Sequence, residues 1–154
     1  MHGTRRQFLR ASGGTLALLA GCGFLRPQDL RAEEWNKAAF ESKSLEDMIR
    51  ALGGREPTES GEIAIVAPEI AENGAVVPVN IVSRLPETEA IAIAVEKNPN
   101  MLAANFAIPN GTIADVQTRI KMAQTSNVYA LVRAGGKYYY AAKEIKITLG
   151  GCGG

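Results

Sequence analysis

Between Glu62 and Leu149, apolar and polar residues alternate with a period of two along much of the chain. That period puts every second side chain on the same face of an extended strand. Ile63, Ile65 and Ala67 open the pattern. Asn73-Gly74 then marks a turn before a second run from Val76 to Ser83. Pro78 lies inside this run, and a proline has no N–H to give a ladder, which predicts an edge strand or a bulge. A third run covers Ala90 to Glu96 and closes at Lys97-Asn98-Pro99-Asn100. A fourth covers Leu102 to Ile108 and closes at Pro109-Asn110-Gly111. In the fifth, Val116, Thr118, Ile120 and Met122 share one face, with Gln117, Arg119 and Lys121 on the other. The sixth, Val128 to Ala134, turns at Gly135-Gly136 into the seventh, Tyr138 to Leu149. There Ile145, Ile147 and Leu149 alternate against Glu144, Lys146 and Thr148.

The residues ahead of this region change period. Glu33 to Phe40 is polar apart from Trp35, Ala39 and Phe40. Leu45, Met48, Ile49 and Leu52 then recur at helical spacing and form one core-facing stripe. Ser44-Leu45-Glu46-Asp47 resembles a capping box with Ser44 as the N-cap, and Gly53-Gly54 ends the helix. The expected architecture is all-β: an immunoglobulin-like β-sandwich preceded by a short helical segment, over residues 33–149. The Cys-Trp-Cys spacing of antibody domains is absent.

The first 32 residues read as a leader. Thr4-Arg5-Arg6-Gln7-Phe8-Leu9-Arg10 has the form of a twin-arginine export signal, with Arg5 and Arg6 as its recognition pair. The apolar stretch from Leu16 to Ala20 follows, too short to span a bilayer as a permanent helix. Cleavage is expected near residue 21 or residue 32. Leu19-Ala20-Gly21-Cys22 matches a lipoprotein pattern, which would lipidate Cys22. The rival is a conventional site at Leu30-Arg31-Ala32. Either way, export to the periplasm is expected.

Loss of the leader changes the inventory. Five of the 17 basic and one of the 16 acidic residues precede Glu33. A chain starting there carries 12 basic and 15 acidic residues, a net charge of −3. No basic patch for nucleic acid is left. The only histidine, His2, lies in the leader. A mature chain without histidine has no Ser-His or Cys-His catalysis and no histidine-containing metal site, and neither a cofactor nor a metal is expected. One cysteine remains, Cys152. A lone cysteine bound for an oxidising compartment points to intermolecular chemistry or a free reactive thiol.

That cysteine sits in Gly150-Gly151-Cys152-Gly153-Gly154. Glycine has the greatest backbone freedom and no side chain, so Gly150, Gly151, Gly153 and Gly154 predict a flexible, thin arm. Such an arm would put a thiol into a narrow pocket on another protein. No cation, histidine or helix N-terminus in the tail lowers the thiol's pKa, so Cys152 reads as a handle and not as an enzyme's nucleophile. A prenylation signal places its cysteine fourth from the end; this one is third.

With those residues in view, the chain resembles the SoxY family, the sulfur-carrying subunits of thiosulfate-oxidising Sox systems. The resemblance runs from about Glu33 to Gly154. It includes the stretch from Ala67 to Val79, Glu96-Lys97-Asn98-Pro99-Asn100, the stretch from Arg119 to Ser126, and the closing Leu149-Gly150-Gly151-Cys152-Gly153-Gly154. It implies an immunoglobulin-like domain paired with a second small β-sandwich subunit, SoxZ. It also implies Cys152 as the covalent sulfur attachment point. The haem enzyme SoxAX would join thiosulfate to it as Cys–S–S–SO₃⁻, the hydrolase SoxB would release sulfate, and the sulfane dehydrogenase SoxCD would oxidise the remaining sulfur. The carrier itself would not be an enzyme.

Two other classes compete. A ubiquitin-like sulfur carrier also ends in Gly-Gly, but its terminal carboxylate needs ATP, which the export route denies. A non-catalytic immunoglobulin-like interaction module, its tail irrelevant, would show no cargo on Cys152.

Overall fold

The computed structural model describes residues 36–148. The chain forms α1 (Lys37–Phe40), α2 (Leu45–Ala51), β1 (Thr58–Glu59), β2 (Ile63–Val66), β3 (Ile70–Ala71), β4 (Val77–Ser83), β5 (Thr88–Val95), β6 (Leu102–Ala107), β7 (Asp115–Ile120), β8 (Ser126–Ala134) and β9 (Lys137–Ile147). All seven expected strands are present. The two-residue strands β1 and β3 are additional, and their sequences carry no alternation by which to find them.

The strands make two sheets. The larger has the order β1-β9-β8-β5-β6, with β3 also on β9; the smaller has the order β2-β4-β7. β1 and β3 both run parallel to β9, at Tyr139–Tyr140 and at Lys146–Ile147 respectively. They thus cover successive parts of its outer edge. β8 and β9 form a hairpin closed by Gly135 and Gly136, both at positive φ, as a two-residue turn matching strand twist requires.

Within the large sheet β5 is buried on both faces from Ile91 to Val95, which is why its sequence reads Ala-Ile-Ala-Ile-Ala-Val. Ile91, Ile93 and Val95 point into the sandwich, where they meet Val77, Val79 and Ile81 of β4 and Val128, Ala130 and Val132 of β8. Ala92 and Ala94 point the other way, beneath Ala39, Met48 and Ile49 of the helices and beside Leu102 and Leu131. Small residues on that face let the helices sit close to the strand. Burying a side chain the size of Met48 contributes roughly 1.5–3 kcal/mol. On β7 the expected faces appear: Ile120 and the following Met122 are buried, while Gln117, Arg119 and Lys121 are exposed.

The helices hold each other at their ends. Asn36 Oδ1 accepts the N–H of Ala39 at 3.1 Å, and its Nδ2 donates to Ala51 O at 2.7 Å. Ser44 caps α2 by accepting from Asp47 N at 3.1 Å. The reciprocal half of a capping box is not made: the Ser44 hydroxyl donates to the Asp47 carboxylate at 2.7 Å instead. Aspartate is one methylene shorter than the glutamate that reaches back in that motif. At the other end Gly53, at φ +83°, donates to Arg50 O at 3.0 Å, and Gly54 donates to Ile49 O at 2.8 Å. These two bonds make a Schellman cap. The helical piece expected from Glu33 begins at Lys37; residues 33–35 lie outside the described residues.

Pro78 corrects the expectation attached to it. β4 is the central strand of the small sheet, not an edge. Yet β2 pairs with β4 only over Asn80–Ser83, whereas β7 pairs with it over Val77–Val82. Pro78 falls in the part that β2 does not reach, so its missing donor removes no bond to β2.

Candidate functional site

β9 starts at the Gly135-Gly136 turn and runs to Ile147, so the segment carrying Cys152 departs at the opposite end of the sandwich. Three loops meet at that end: 72–76 between β3 and β4, 96–101 between β5 and β6, and 121–125 between β7 and β8. They contain stretches singled out in the sequence, and side-chain and backbone hydrogen bonds fasten them together.

Asn98 is the central link. Its Nδ2 donates to Lys121 O at 2.8 Å, and its Oδ1 accepts from Ala123 N at 3.0 Å. Both ends of one amide are therefore spent joining loop 96–101 to loop 121–125. Lys97 N donates to Ser126 Oγ at 3.0 Å, and Met122 N donates to Gly74 O at 2.7 Å, which brings in the third loop. Lys43, between the helices, reaches Pro99 O at 2.8 Å and Asn100 Oδ1 at 2.7 Å.

The last described residues are pinned to this assembly from two sides. Ile147 N donates to Thr125 Oγ1 at 2.9 Å. Thr148 N donates to Ala71 O at 3.2 Å, and Lys146 N donates to Glu69 O at 2.9 Å. The chain is thus held as far as Thr148, two positions before Gly150 and four before Cys152.

Charge on the two loops joined by Asn98 is mostly positive. Lys97 and Lys121 are exposed, and the Lys43 ammonium adds a third cation. Glu96 is the single acid on these loops, and its Oε2 accepts from Asn127 Nδ2 at 3.0 Å. Nearby, burial pushes the Tyr129 hydroxyl above its ordinary pKa, and the Glu96 carboxylate adds to the effect. Among the described residues no cluster of His, Cys, Asp and Glu is placed to hold a metal ion, and no helix is long and apolar enough to cross a membrane.

Cys152, Gly150, Gly151, Gly153 and Gly154 lie outside the described residues, as do Arg5, Arg6 and Cys22. What the structure supplies is the root from which the segment leaves. Sequence reasoning did not assign Asn98, Thr125 or Ser126 to it. Their one signal was polar residues of good turn chemistry inside quoted stretches.

The family model described as sulfur oxidation protein SoxY matches residues 49–152. The chain belongs to the SoxY family. It is similar to the sulfur carrier protein SoxY from Chlorobium limicola f thiosulfatophilum at 42% identity. That match has a TM-score of 0.62 and covers 68% of this chain and 96% of the other. A second solved chain, from a structure of T cell activation by the bacterial superantigen toxic shock syndrome toxin-1, is 12% identical with a TM-score of 0.38. It covers 55% of this chain and 99% of the other, and the likeness is too slight to inform fold or function. No curated protein matches. SoxY membership bears out the all-β, immunoglobulin-like architecture and makes the chain a sulfur carrier in sulfur oxidation, a subunit of a Sox system.

Proposed function

We propose that this SoxY protein carries thiosulfate-derived sulfur covalently on Cys152 and presents it to partner enzymes in the periplasm. The observation that carries the reading is that the family match ends on Cys152 itself, the sole cysteine after Cys22. The pinned root at Ile147 and Thr148 supports it, because a carrier needs a fixed point from which its handle extends.

The chemistry asked of Cys152 is modest. Its thiolate joins the outer sulfur of thiosulfate as Cys–S–S–SO₃⁻, and an electron pair leaves to a haem enzyme of the SoxAX kind. Water then attacks the sulfonate sulfur in a SoxB-type hydrolase, releasing sulfate and protons and leaving the persulfide Cys–S–S⁻. A SoxCD-type dehydrogenase oxidises that outer sulfur where it is present. Free cysteine is ordinarily a weak nucleophile at neutral pH, and the partner sites supply the activation.

A SoxZ-type subunit completes the carrier. Exposed Val66, Ile70 and Val76 give such a partner apolar side chains to cover, and β4 is open beside Pro78 where β2 stops. The twin-arginine motif at Arg5 and Arg6 supports the periplasmic location.

Intact mass tests the proposal. Wild-type carrier incubated with thiosulfate and the oxidising enzyme gains mass at Cys152. Cys152→Ser gains none, since a hydroxyl forms no stable S–S bond, and its unfolding free energy moves by less than about 0.5 kcal/mol. Thiosulfate oxidation sustained by Cys152→Ser would sink the reading.

A further inference from the structure

We propose that the two loops joined by Asn98, 96–101 and 121–125, are a docking platform for the acidic rim of an enzyme's active-site entrance. The proposal rests on the carrier reading above and adds where, and by what charge, the enzyme is met.

Reach sets the geometry. Thr148 is tied to Ala71, and Ile147 to Thr125. No more chain can be drawn out without breaking those bonds. Cys152 is four positions beyond Thr148, a stretch that spans at most about 14 Å at full extension. An enzyme whose reacting atoms lie at the bottom of a pocket must therefore bring its entrance against the surface around Thr148. Loop 121–125 belongs to that surface through Thr125, and loop 96–101 is locked to it through Asn98.

The surface composition selects the partner's chemistry. Glu96, Lys97, Pro99, Asn100, Lys121 and Gln124 are exposed there. Lys97 and Lys121 make no ion pair among the described residues, and Glu96 is occupied by Asn127. None of the exposed large apolar residues is on these two loops; Ile70 and Val76 lie beside them, on β3 and in loop 72–76, and Val66 and Ile113 lie on other segments. On the β3 side of the root Glu69, Ile70 and Glu72 are exposed, so the positive part of the surface is the two loops themselves. A polar face with two free lysines suits a brief encounter with an acidic rim, whereas a permanent subunit interface needs an apolar centre. The bonds through Asn98 hold the two loops together before the enzyme arrives, so docking orders little new chain.

The test uses full-length carrier loaded chemically with tetrathionate. The Cys152 thiolate attacks its central S–S bond, giving Cys–S–S–SO₃⁻ and releasing thiosulfate, which intact mass verifies. Turnover by a SoxB-type hydrolase is then followed against NaCl concentration for wild type, Lys97→Glu/Lys121→Glu, and the control Arg84→Glu/Lys137→Glu at the far end. The platform variant is expected to lose roughly tenfold in kcat/KM at low salt, mainly in KM, and to converge on wild type as salt screens the encounter. The control is expected to stay near wild type. Equal losses in both variants, or none in the platform variant, would overturn the docking proposal while leaving the carrier intact. Slower tetrathionate loading in the platform variant would also overturn it, by assigning the lysines to the cargo. Failure of the wild type to load would bring down the carrier reading, and this proposal with it.

Discussion

The hydroxyl oxygen of Thr125 accepts the backbone N–H of Ile147 at 2.9 Å, tying the loop before β8 to the final residue of β9. Pairing with β8 ends at Ser126, opposite Ile145, so no backbone carbonyl of β8 lies further along to take this donor. A side chain does so instead, and the carrier segment leaves from a fixed point.

Thr125→Val is therefore expected to cost about 0.5–1.5 kcal/mol, because the shape is kept while a part-buried donor loses its partner. Thr125→Ser should recover most of the loss. Denaturant unfolding measures the energy, and amide hydrogen exchange at Ile147 locates it. Exchange at Ile147 unchanged by the valine would show that the bond does not hold the root.

Ala92→Leu tests the close approach of helix and sheet. Ala92 is 3% exposed and lies beneath the helices, so the added atoms have no room. Overpacking of this kind costs roughly 1–3 kcal/mol. The expected result is a lowered thermal midpoint with cargo loading on Cys152 preserved. A midpoint at or above wild type would mean that the helices ride looser on the sheet than their contacts imply.

Arg5→Lys with Arg6→Lys tests the export reading, on which the periplasmic proposal depends. The double variant should leave uncleaved precursor in the cytoplasm, seen by fractionation and immunoblot. Normal periplasmic amounts of mature protein would remove the twin-arginine route. The N-terminal residue of wild-type material decides between a lipidated Cys22 and a start near Glu33.

By itself the sequence determined the strands, because alternation is local: each of the seven runs carries its own inward face. It determined the caps of α2 for the same reason, since Ser44 and Gly53 act within one helical turn. It also singled out Cys152, whose identity as the lone thiol in a glycine segment needs no neighbour to be noticed. Only the tertiary structure decided the rest. β1 and β3 exist because β9 offers an outer edge, not because two residues have a pattern. The helices' place over Ala92 and Ala94, and Pro78's place in a central strand, follow from which sheet each element joins. Asn98 and Ala123 are 25 positions apart, and Thr125 and Ile147 are 22 apart. Single polar side chains paired at that distance leave no periodicity in a sequence. Only closing the sandwich brings them within bonding range.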